Sequence, residues 1–508
     1  AEAREDNGLW VMFITTHHKG HVNPLNAVAE ELASRSTPEN PIRVSFATFD
    51  EAKHRAPHNT EFVSAGSLPH SLEEDERLTG ELFNMDDMFE MMEKSKVLMH
   101  AYEETMGSTL AKYFAEVGRP DYLVVDAIAA GGVNAADAAE LPMVVVQTTG
   151  LPIMGGRDSF QIPFAAWQPP IMATYTAEEM GFVERWKAVG MQVMFELMQY
   201  FFLLPARTEM RAAIGAPPLS VAYQGRNGKP CPLIIAAAFG LDYAVSLPPY
   251  VFPVGLMYNP ATAAITEMPA DLQQWLDASD VPVIFVSTGT NVLLTEDKVH
   301  DLVRVFTSPD FNYRAVWSLK KVSQQHLPDN LPDTILVDSY FPQARVLAHP
   351  NVKAFISHCG ANSVLEAIVN DVPVLALPYI GDQPMYAGRL RAAGMAELLD
   401  KDNIDPETFI AAANKVTRDP SYAQTAARLH AAVDLAGGKD RAADVIIYLA
   451  KYGHDHLIPF GQGLPWYLAY HLDIYLPIIA FLVVCFLILL SFCRCICGCG
   501  STTKTKTD

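Results

Sequence analysis

The sequence predicts an α/β protein of two doubly wound domains that face each other across a crevice, with one membrane-spanning helix near the C-terminal end. The chain has 508 residues, too many for a single hydrophobic core. Two series of short apolar runs alternate with helical stretches, which is typical of parallel sheets covered by helices. A 19-residue run without a charged residue, 474–492, follows them. The net charge of −21 argues against a nucleic-acid partner.

The first series begins with residues 9–15 (LWVMFIT), a continuous apolar run of strand length. Apolar runs of this kind are typical of parallel strands that are buried on both faces. A polar loop, HHKGHVNP, follows, and then Leu25, Val28 and Leu32 recur at helical spacing. Strand, loop and helix in this order begin a doubly wound domain. Further predicted strands in this half are 42–48, 122–128, 142–149 and 231–238.

A second series of runs predicts a second sheet. Its predicted strands are 281–290, 313–319, 333–341, 352–358 and 372–378. The Pro-rich stretch LPPYVFPVG lies between the two series. We therefore expect an N-terminal domain over residues 1–250, a linker over 251–275 and a C-terminal domain over 276–440. A returning and juxtamembrane segment follows over 441–473. Ligands of open α/β sheets bind where strand ends meet helix starts, which places them in the crevice.

The run 474–492 predicts a transmembrane helix, because 19 residues at about 1.5 Å per residue span roughly 28 Å. Arg494, Lys504 and Lys506 follow it, so the positive-inside rule puts the tail, 493–508, in the cytosol and the domains on the other side. We expect that a signal peptide preceded Ala1. A second apolar stretch, 190–205, is too short to span, and it is either a core helix or a helix resting on the membrane.

The tail carries two further patterns. Four cysteines crowd the predicted membrane edge, and they are either S-palmitoylated or unmodified small apolar residues: Cys493, Cys495, Cys497 and Cys499. The lysines at five and three residues from the end resemble the dilysine retrieval signal of endoplasmic-reticulum membrane proteins. We therefore expect a single-pass protein of that membrane, with its domains in the lumen.

Residues 355–383 carry the most informative pattern for chemistry. A strand ends near Ser357, a tight loop follows, and a helix begins near Ser363. The free amides and dipole of a helix start bind anions, and His358 adds a donor for a diphosphate oxygen. We expect Asn362 or Ser363 to cap the helix; a Ser363–Glu366 capping box would need no ligand at all. A second loop follows the next strand and ends with two groups suited to sugar hydroxyls, Asp382 and Gln383.

The stretch HCGANSVLE, followed by DQ some sixteen residues on, resembles the signature of the UDP-glycosyltransferases. The match is strong over 340–390 and weak over about 9–470. The tail is similar to that of the animal membrane-bound members of the family, of the UDP-glucuronosyltransferase type. The resemblance implies the GT-B fold of two Rossmann-like domains, with a UDP-sugar as cosubstrate and no metal or other cofactor.

The resemblance also implies a role for each donor-site residue. Tyr340 stacks on uracil, Gln343 lies near the base and ribose, and Glu366 binds ribose hydroxyls. The diphosphate and sugar contacts that it implies are made by Gly289, Thr290, His358, Gly360, Asn362, Ser363, Asp382 and Gln383. Three positions depart from the family pattern, with Tyr340 for Trp, Asp371 for Gly and Tyr386 for Asn. The last of these leaves sugar selectivity open.

The first half supplies a candidate base. His21 lies in the pattern Gly-His-x-x-Pro before the first helix, whose N-terminus is expected to keep the imidazole neutral. Asp126 ends the run YLVVD at the same sheet edge, and a carboxylate behind a histidine fixes its tautomer. An isolated His and Asp would more often be structural or solvated, but the resemblance implies a catalytic pair. His17 and His18 are interpreted as loop residues.

These patterns predict an inverting glycosyltransferase that moves a hexose or glucuronic acid from a UDP-sugar to the hydroxyl of a small lipophilic acceptor. One alternative is a sterol or sphingolipid glucosyltransferase. Another, of a different class, is a non-catalytic membrane-anchored protein that binds a nucleotide sugar. The sugar, the acceptor and the oligomeric state stay open, a homo-oligomer included.

Overall fold

The computed structural model describes most of the chain. The described residues are 8–83, 88–151, 167–198, 201, 204–218, 225–226, 229–257, 268–289, 292–459, 466–469 and 471–498. They form two parallel sheets covered by helices, and an apolar helix follows near the C-terminal end. The predicted fold class is confirmed.

The first sheet has seven parallel strands in the order β3-β2-β1-β4-β5-β6-β7. Their bounds are Leu9–Ile14 (β1), Ile42–Thr48 (β2), Glu61–Ser64 (β3), Tyr122–Asp126 (β4), Met143–Gln147 (β5), Leu233–Ile235 (β6) and Val251–Pro253 (β7). A small antiparallel hairpin pairs Gly225–Arg226 with Lys229–Pro230. All five predicted strands of this half are present. The edge strands β3 and β7 were not predicted, because β3 has only two consecutive apolar residues and β7 lies in the Pro-rich stretch.

The second sheet has six parallel strands in the order β10-β9-β8-β11-β12-β13. Their bounds are Val283–Ser287 (β8), Arg314–Ser318 (β9), Ile335–Asp338 (β10), Val352–Ser357 (β11), Val374–Ala376 (β12) and Ala396–Leu398 (β13). In both sheets the strand order reverses beside the first strand, between β1 and β4 and between β8 and β11. Brändén's rule places ligands at these two switch points.

Helices cover both faces of each sheet. The helices that precede the second sheet are Lys19–Ser34 (α1), Leu72–Phe83 (α2), Met88–Glu116 (α3), Ala130–Ala138 (α4), Phe182–Met198 (α5), Leu204–Ala213 (α6) and Ala270–Asp277 (α7). The later helices are Glu296–Phe306 (α8), Lys321–Gln324 (α9), Gln343–Leu347 (α10), Ala361–Val369 (α11), Gln383–Ala393 (α12), Pro406–Arg418 (α13), Pro420–Ala436 (α14), Gly438–Tyr452 (α15), Trp466–Ala469 (α16) and Leu472–Gly498 (α17). Two 3₁₀ turns, Asp50–Arg55 and Asp455–Leu457, complete the described elements.

Alternate side chains of a central strand enter different core layers, as the pleat requires. Val11 and Phe13 of β1 pack into the layer that holds α1, whereas Met12 and Ile14 pack into the layer that holds α3. The apolar face of α15, including Ile446 and Leu449, belongs to the same buried layer as α1. The chain therefore returns from the second sheet and covers the first one.

Helix α17 is long and apolar enough to cross a membrane, judged by length and composition over Leu472–Cys493. Its apolar side chains are exposed, so it is not a core helix of the described structure. This suggests membrane anchoring of the chain. Residues 499–508, with Cys499 and the two tail lysines, lie outside the described residues.

Candidate active site

The first part of the site lies at the switch point between β1 and β4. Ile14 of β1 pairs with Val125 of β4, so the residues that follow each strand come together. His21, in the first turn of α1, lies with Nδ1 3.0 Å from Oδ2 and 3.1 Å from Oδ1 of Asp126. Asp126 is fully buried, whereas His21 is half-buried. The structure thus brings the two predicted residues together and leaves Nε2 of His21 free of the carboxylate.

Two threonines complete this arrangement, and the sequence analysis did not single them out. Thr15 donates its hydroxyl to Oδ2 of Asp126 at 2.9 Å, and Thr148 places its Oγ1 3.1 Å from Nδ1 of His21. The backbone N–H of Ile128 donates to the other carboxylate oxygen at 3.2 Å. These contacts fix the carboxylate and, through it, the plane of the imidazole. The signal available in sequence was their position directly after β1 and β5.

The protonation of His21 differs from the sequence-based expectation. Burial by itself lowers the pKa of His21, but the charge and hydrogen bond of Asp126 and the charge of Asp382 together raise it above its ordinary value. The two carboxylates therefore outweigh the effect of burial. A raised pKa makes His21 a stronger proton acceptor at neutral pH.

The second part of the site lies at the switch point between β8 and β11. His358 follows β11, and its imidazole lies between two glycines: a Cβ on Gly289 or on Gly360 would stand 2.4 or 2.7 Å from its Nε2. Gly289 has a φ of +75°, which favours glycine. Burial lowers the pKa of His358 to about 4, and the backbone of Ser287 only partly offsets this. Thr290, the other predicted residue of this loop, lies outside the described residues.

Helix α11 begins differently from the prediction. Its N-cap is Gly360, without a capping side chain, so the expected cap by Asn362 or Ser363 is wrong. Asn362 and Ser363 lie inside the first turn instead. The expected capping box is absent as well, because Ser363 and Glu366 both accept hydrogen bonds from Nε2 of Gln343, at 3.0 and 2.6 Å. The N-cap thus supplies no side-chain acceptor for the first amides of α11, although that of Ala361 hydrogen-bonds to Asp382 of the neighbouring loop. The other amides at this start suit an anion site.

Glu366 is the charged member of this group. Burial raises the pKa of Glu366 to about 7, although the hydrogen bond from Gln343 lowers it. Tyr340, just before α10, is 65% exposed, which is unusual for a large aromatic side chain and leaves its ring face open. Gln343 and Glu366 therefore meet beside the α11 start, and the exposed Tyr340 lies three residues before Gln343 in the chain.

The loop after β12 holds the remaining predicted pair. Gln383 is buried, and its Oε1 accepts from the backbone N–H of Tyr379 at 2.9 Å and of Ile380 at 3.1 Å. This side chain thus shapes its own loop, and its amide NH₂ is the group left for a ligand. Burial raises the pKa of Asp382, although the backbone of Ala361 at the α11 start is among the groups that lower it.

Asp382 and His21, which come from the two halves, interact electrostatically. The charge of Asp382 raises the pKa of His21, and the charge of His21 lowers that of Asp382. A hydrogen bond also joins the two halves, since the backbone N–H of Gly150 donates to the hydroxyl of Tyr386 at 2.8 Å. Tyr386 is fully buried. The position at which the sequence departs from the family pattern is therefore a contact between the two halves.

A buried ion pair joins the two halves next to this bond. The guanidinium of Arg389 in α12 donates to Oδ1 of Asp242, and the two side chains are 2% and 1% exposed. The other carboxylate oxygen accepts from the backbone N–H of Ala238 at 2.9 Å. Further out, Arg391 donates to Glu179 and to the carbonyl of Thr174. Hydrogen bonds and ion pairs thus join the two halves along the crevice.

A family model described as "UDP-glucoronosyl and UDP-glucosyl transferase" matches residues 16–507. UDP-glycosyltransferase 1 of Phaeomoniella chlamydospora is 27% identical over 53% of this chain and 60% of its own length. UDP-glucuronosyltransferase 2A3 of Mus musculus is 26% identical over 72% of this chain and 66% of its own length. The 2-hydroxyacylsphingosine 1-beta-galactosyltransferase of Rattus norvegicus is 28% identical over 51% of this chain and 47% of its own length. The matched part spans about half to two-thirds of these relatives.

Solved structures share the fold. The glycotransferase of kitacinnamycin superposes with a TM-score of 0.63 at 18% identity, over 89% of this chain and all of that one. The calicheamicin glycosyltransferase CalG4 superposes with a TM-score of 0.56, also at 18% identity, over 88% of this chain and all of that one. Both describe two facing Rossmann-like domains, the GT-B arrangement.

Proposed function

The chain belongs to the UDP-glucuronosyl and UDP-glucosyl transferase family, a family of UDP-sugar glycosyltransferases, and on this premise we propose that it is an inverting transferase acting on the hydroxyl of a small lipophilic acceptor. The observation that carries the proposal is the His21–Asp126 pair, whose histidine interacts electrostatically with Asp382 of the other half. The transferred sugar is a hexose or glucuronic acid.

His21 acts as the general base. Its Nδ1 is held by Asp126, so Nε2 accepts the proton of the acceptor hydroxyl. The acceptor oxygen then forms a bond to the anomeric carbon, and the bond from that carbon to the diphosphate oxygen breaks. Its electron pair leaves with UDP. Attack from the side opposite to UDP inverts the anomeric configuration. Asp126 stabilises the imidazolium that forms.

The donor half stabilises the leaving UDP. The amides of the first turn of α11 other than that of Ala361, together with neutral His358, donate to the diphosphate oxygens, so the proposed reaction needs no metal or other cofactor. Gly289 and Gly360 keep the space around His358 open for that contact. Asp382 and the NH₂ of Gln383 bind the sugar hydroxyls.

An exposed apolar helix is evidence for the proposed lipophilic acceptor. Helix α5 exposes Phe182, Val183, Trp186, Val193 and Leu197, a face suited to the membrane surface. We propose that α17 spans the endoplasmic-reticulum membrane with both halves in the lumen, which brings α5 within reach of membrane-dissolved acceptors. A sphingolipid acceptor is the second candidate, supported by the name of the rat relative.

Full-length protein in detergent tests this function. Each of several UDP-sugars is offered with phenolic, steroid and sphingolipid acceptors, and released UDP and glycosylated product are both measured. We expect transfer of one sugar to a lipophilic hydroxyl, with inverted configuration. Binding of UDP without transfer under every combination would contradict the proposal and favour a non-catalytic binding protein.

The pH dependence follows from His21. We expect kcat/KM for the acceptor to fall as the pH drops through a pKa above the ordinary value of about 6.5, since imidazolium cannot accept a proton. Asp126→Asn removes a charge that raises this pKa, so the acid limb of its profile moves to lower pH. The measurement is a pH–rate profile of both proteins. An acid limb at the same pH in Asp126→Asn would show that another group titrates.

Tyr340 is expected to stack on the base of the donor. Tyr340→Ala should weaken UDP binding by about 5- to 150-fold, since stacking contributes about 1–3 kcal/mol per base. Tyr340→Trp, with a larger ring face, should bind UDP at least as tightly as the wild type. Calorimetry with UDP measures both. Tyr452→Ala is the matched control, because Tyr452 is 64% exposed on α15. Equal affinity of Tyr340→Ala and this control would place the base elsewhere.

A further inference from the structure

A polar cluster beside the base takes no part in the mechanism above. His17 and His18 follow β1, and Asp75 lies in α2. Nε2 of His17 is 2.6 Å from Oδ2 of Asp75. One ligand atom from each of the three residues lies within 4.8 Å of the other two. No metal-ligand spacing is visible in the sequence here, because His17 and Asp75 are 58 residues apart.

The cluster is built into the interior. His17 is 1% exposed and Asp75 is fully buried. The rings of Phe49 and Tyr102 pack edge-on against His17 at centroid distances of 5.6 and 5.2 Å, and the Tyr102 hydroxyl donates to the second oxygen of Asp75. The ring of His18 lies 4.0 Å from that of His17. Among the described residues, Nδ1 of His17 is buried without a hydrogen-bond partner, so this nitrogen is available to a ligand.

We propose that His17, His18 and Asp75 bind one divalent transition-metal ion of the Zn²⁺ class, and that the bound ion inhibits transfer. Two imidazoles and one carboxylate form a common ligand set for Zn²⁺, with water in the fourth position. Distances of about 2.0–2.2 Å from ion to ligand require only small shifts of side chains that are already this close. Tyr102 holds the carboxylate in place, as groups behind metal ligands do.

The local charge permits a cation. Arg55, which faces His18, is paired with Glu76 at 3.0 Å, so its charge is offset. Arg55 also donates to the backbone carbonyl of His17 at 2.5 Å, which fixes the loop that carries both histidines. Together with Asp75, these groups sum to a net charge of −1 before any ion binds.

The cluster is coupled to the base through the backbone. The carbonyl of His18 accepts from the N–H groups of His21 and Val22, both at 2.9 Å. A shift of His18 toward an ion therefore moves the turn that carries His21. The doubly charged ion also disfavours the imidazolium that His21 must become. The inhibitory part of the inference rests on the proposed function, whereas metal binding does not.

The test uses full-length protein in detergent, treated with EDTA and with its thiols blocked by N-ethylmaleimide so that the tail cysteines bind no metal. Co²⁺ is titrated and its visible absorption recorded; Zn²⁺ is then added as a competitor. We expect one equivalent of Co²⁺ with the spectrum of a tetrahedral or five-coordinate site, which Zn²⁺ displaces. His18→Ala and Asp75→Asn should lose that spectrum, whereas His58→Ala, an exposed histidine, should keep it.

Inhibition is measured in the same proteins, each relative to its own metal-free rate. We expect Zn²⁺ to inhibit the wild type and His58→Ala alike, and His18→Ala to require at least tenfold more Zn²⁺. Absence of the Co²⁺ spectrum in the wild type, or its survival in both His18→Ala and Asp75→Asn, overturns the site. Equal inhibition of wild type and His18→Ala, or metal binding without inhibition, overturns the coupling. A protein without any transfer activity would refute the proposed function, and the Co²⁺ titration would still decide the site.

Discussion

His21→Ala is expected to lower kcat for transfer by about 10²–10⁴-fold, the usual contribution of a positioned general base. The reason is geometric, because Nδ1 of His21 is held 3.0 Å from Asp126 and its other nitrogen is left for the acceptor hydroxyl. The measurement is the initial rate of product formation at saturating donor and acceptor. Asp126→Asn should also lower kcat strongly, since an amide cannot stabilise the imidazolium.

UDP binding is the control for this prediction. The donor contacts that we propose lie at the α11 start and in the loop after β12, so His21→Ala should bind UDP with wild-type affinity. Thr148→Val removes one hydroxyl beside Nδ1 of His21. It should lower kcat by about tenfold or less, far less than the loss of the imidazole does. A His21→Ala protein that turns over at the wild-type rate would exclude His21 as the base.

Arg389→Met is expected to cause the largest loss of stability. Removing one partner of a buried ion pair costs about 3–5 kcal/mol, because the other charge stays buried and unpaired. For domains of this size each kcal/mol corresponds to about 2–4 °C, so the melting temperature should fall by roughly 6–20 °C. Thermal unfolding of the detergent-solubilised protein measures the change.

Arg391→Met is the matched control for that substitution. Arg391 lies two residues further on and pairs with Glu179, but the two side chains are 32% and 46% exposed, so the expected cost is below about 1 kcal/mol. The double variant Arg389→Met/Asp242→Asn, which leaves no buried charge, should recover part of the loss. Similar melting temperatures for Arg389→Met and Arg391→Met would contradict the buried-pair interpretation.

The loss should also depend on pH. Burial raises the pKa of Asp242 even with Arg389 present, although Arg389 itself lowers it. Without Arg389 the folded-state pKa rises further above the unfolded one, so the folded variant loses stability as the pH increases through that pKa. We therefore expect the deficit of Arg389→Met relative to the wild type to be smaller at pH 5 than at pH 8.

The fold was predictable because its signal is local. Apart from Ile335–Asp338, which is only partly buried, the ten predicted strands are runs of mostly apolar residues that are largely buried, and such runs are visible without knowledge of their partners. The strands that escaped prediction, Glu61–Ser64, Val251–Pro253 and Ala396–Leu398, are short and partly exposed, so their pattern does not stand out from loops.

The site was predictable only where the family signature marks it. The distance from His21 to Asp126 is set by strand pairing across 105 residues, and residue patterns alone leave that pairing open. Contacts that depend on the closed crevice, such as Arg389 with Asp242, have no sequence signal of their own. The capping of α11 was mispredicted for a related reason: Gln343, from another helix, takes up the groups expected to cap it.

The return of α15 onto the first sheet limits how this chain can be recombined with its relatives. Arg35 of α1 donates to Asp444 at 2.6 Å, Lys439 donates to Glu31, and the N–H of Gly438 donates to the carbonyl of Val254 at 2.6 Å. A chimera that exchanges acceptor-binding halves at the linker would therefore pair α1 of one parent with α15 of the other. Acceptor preference should transfer more faithfully when Gly438–Tyr452 moves together with the first half.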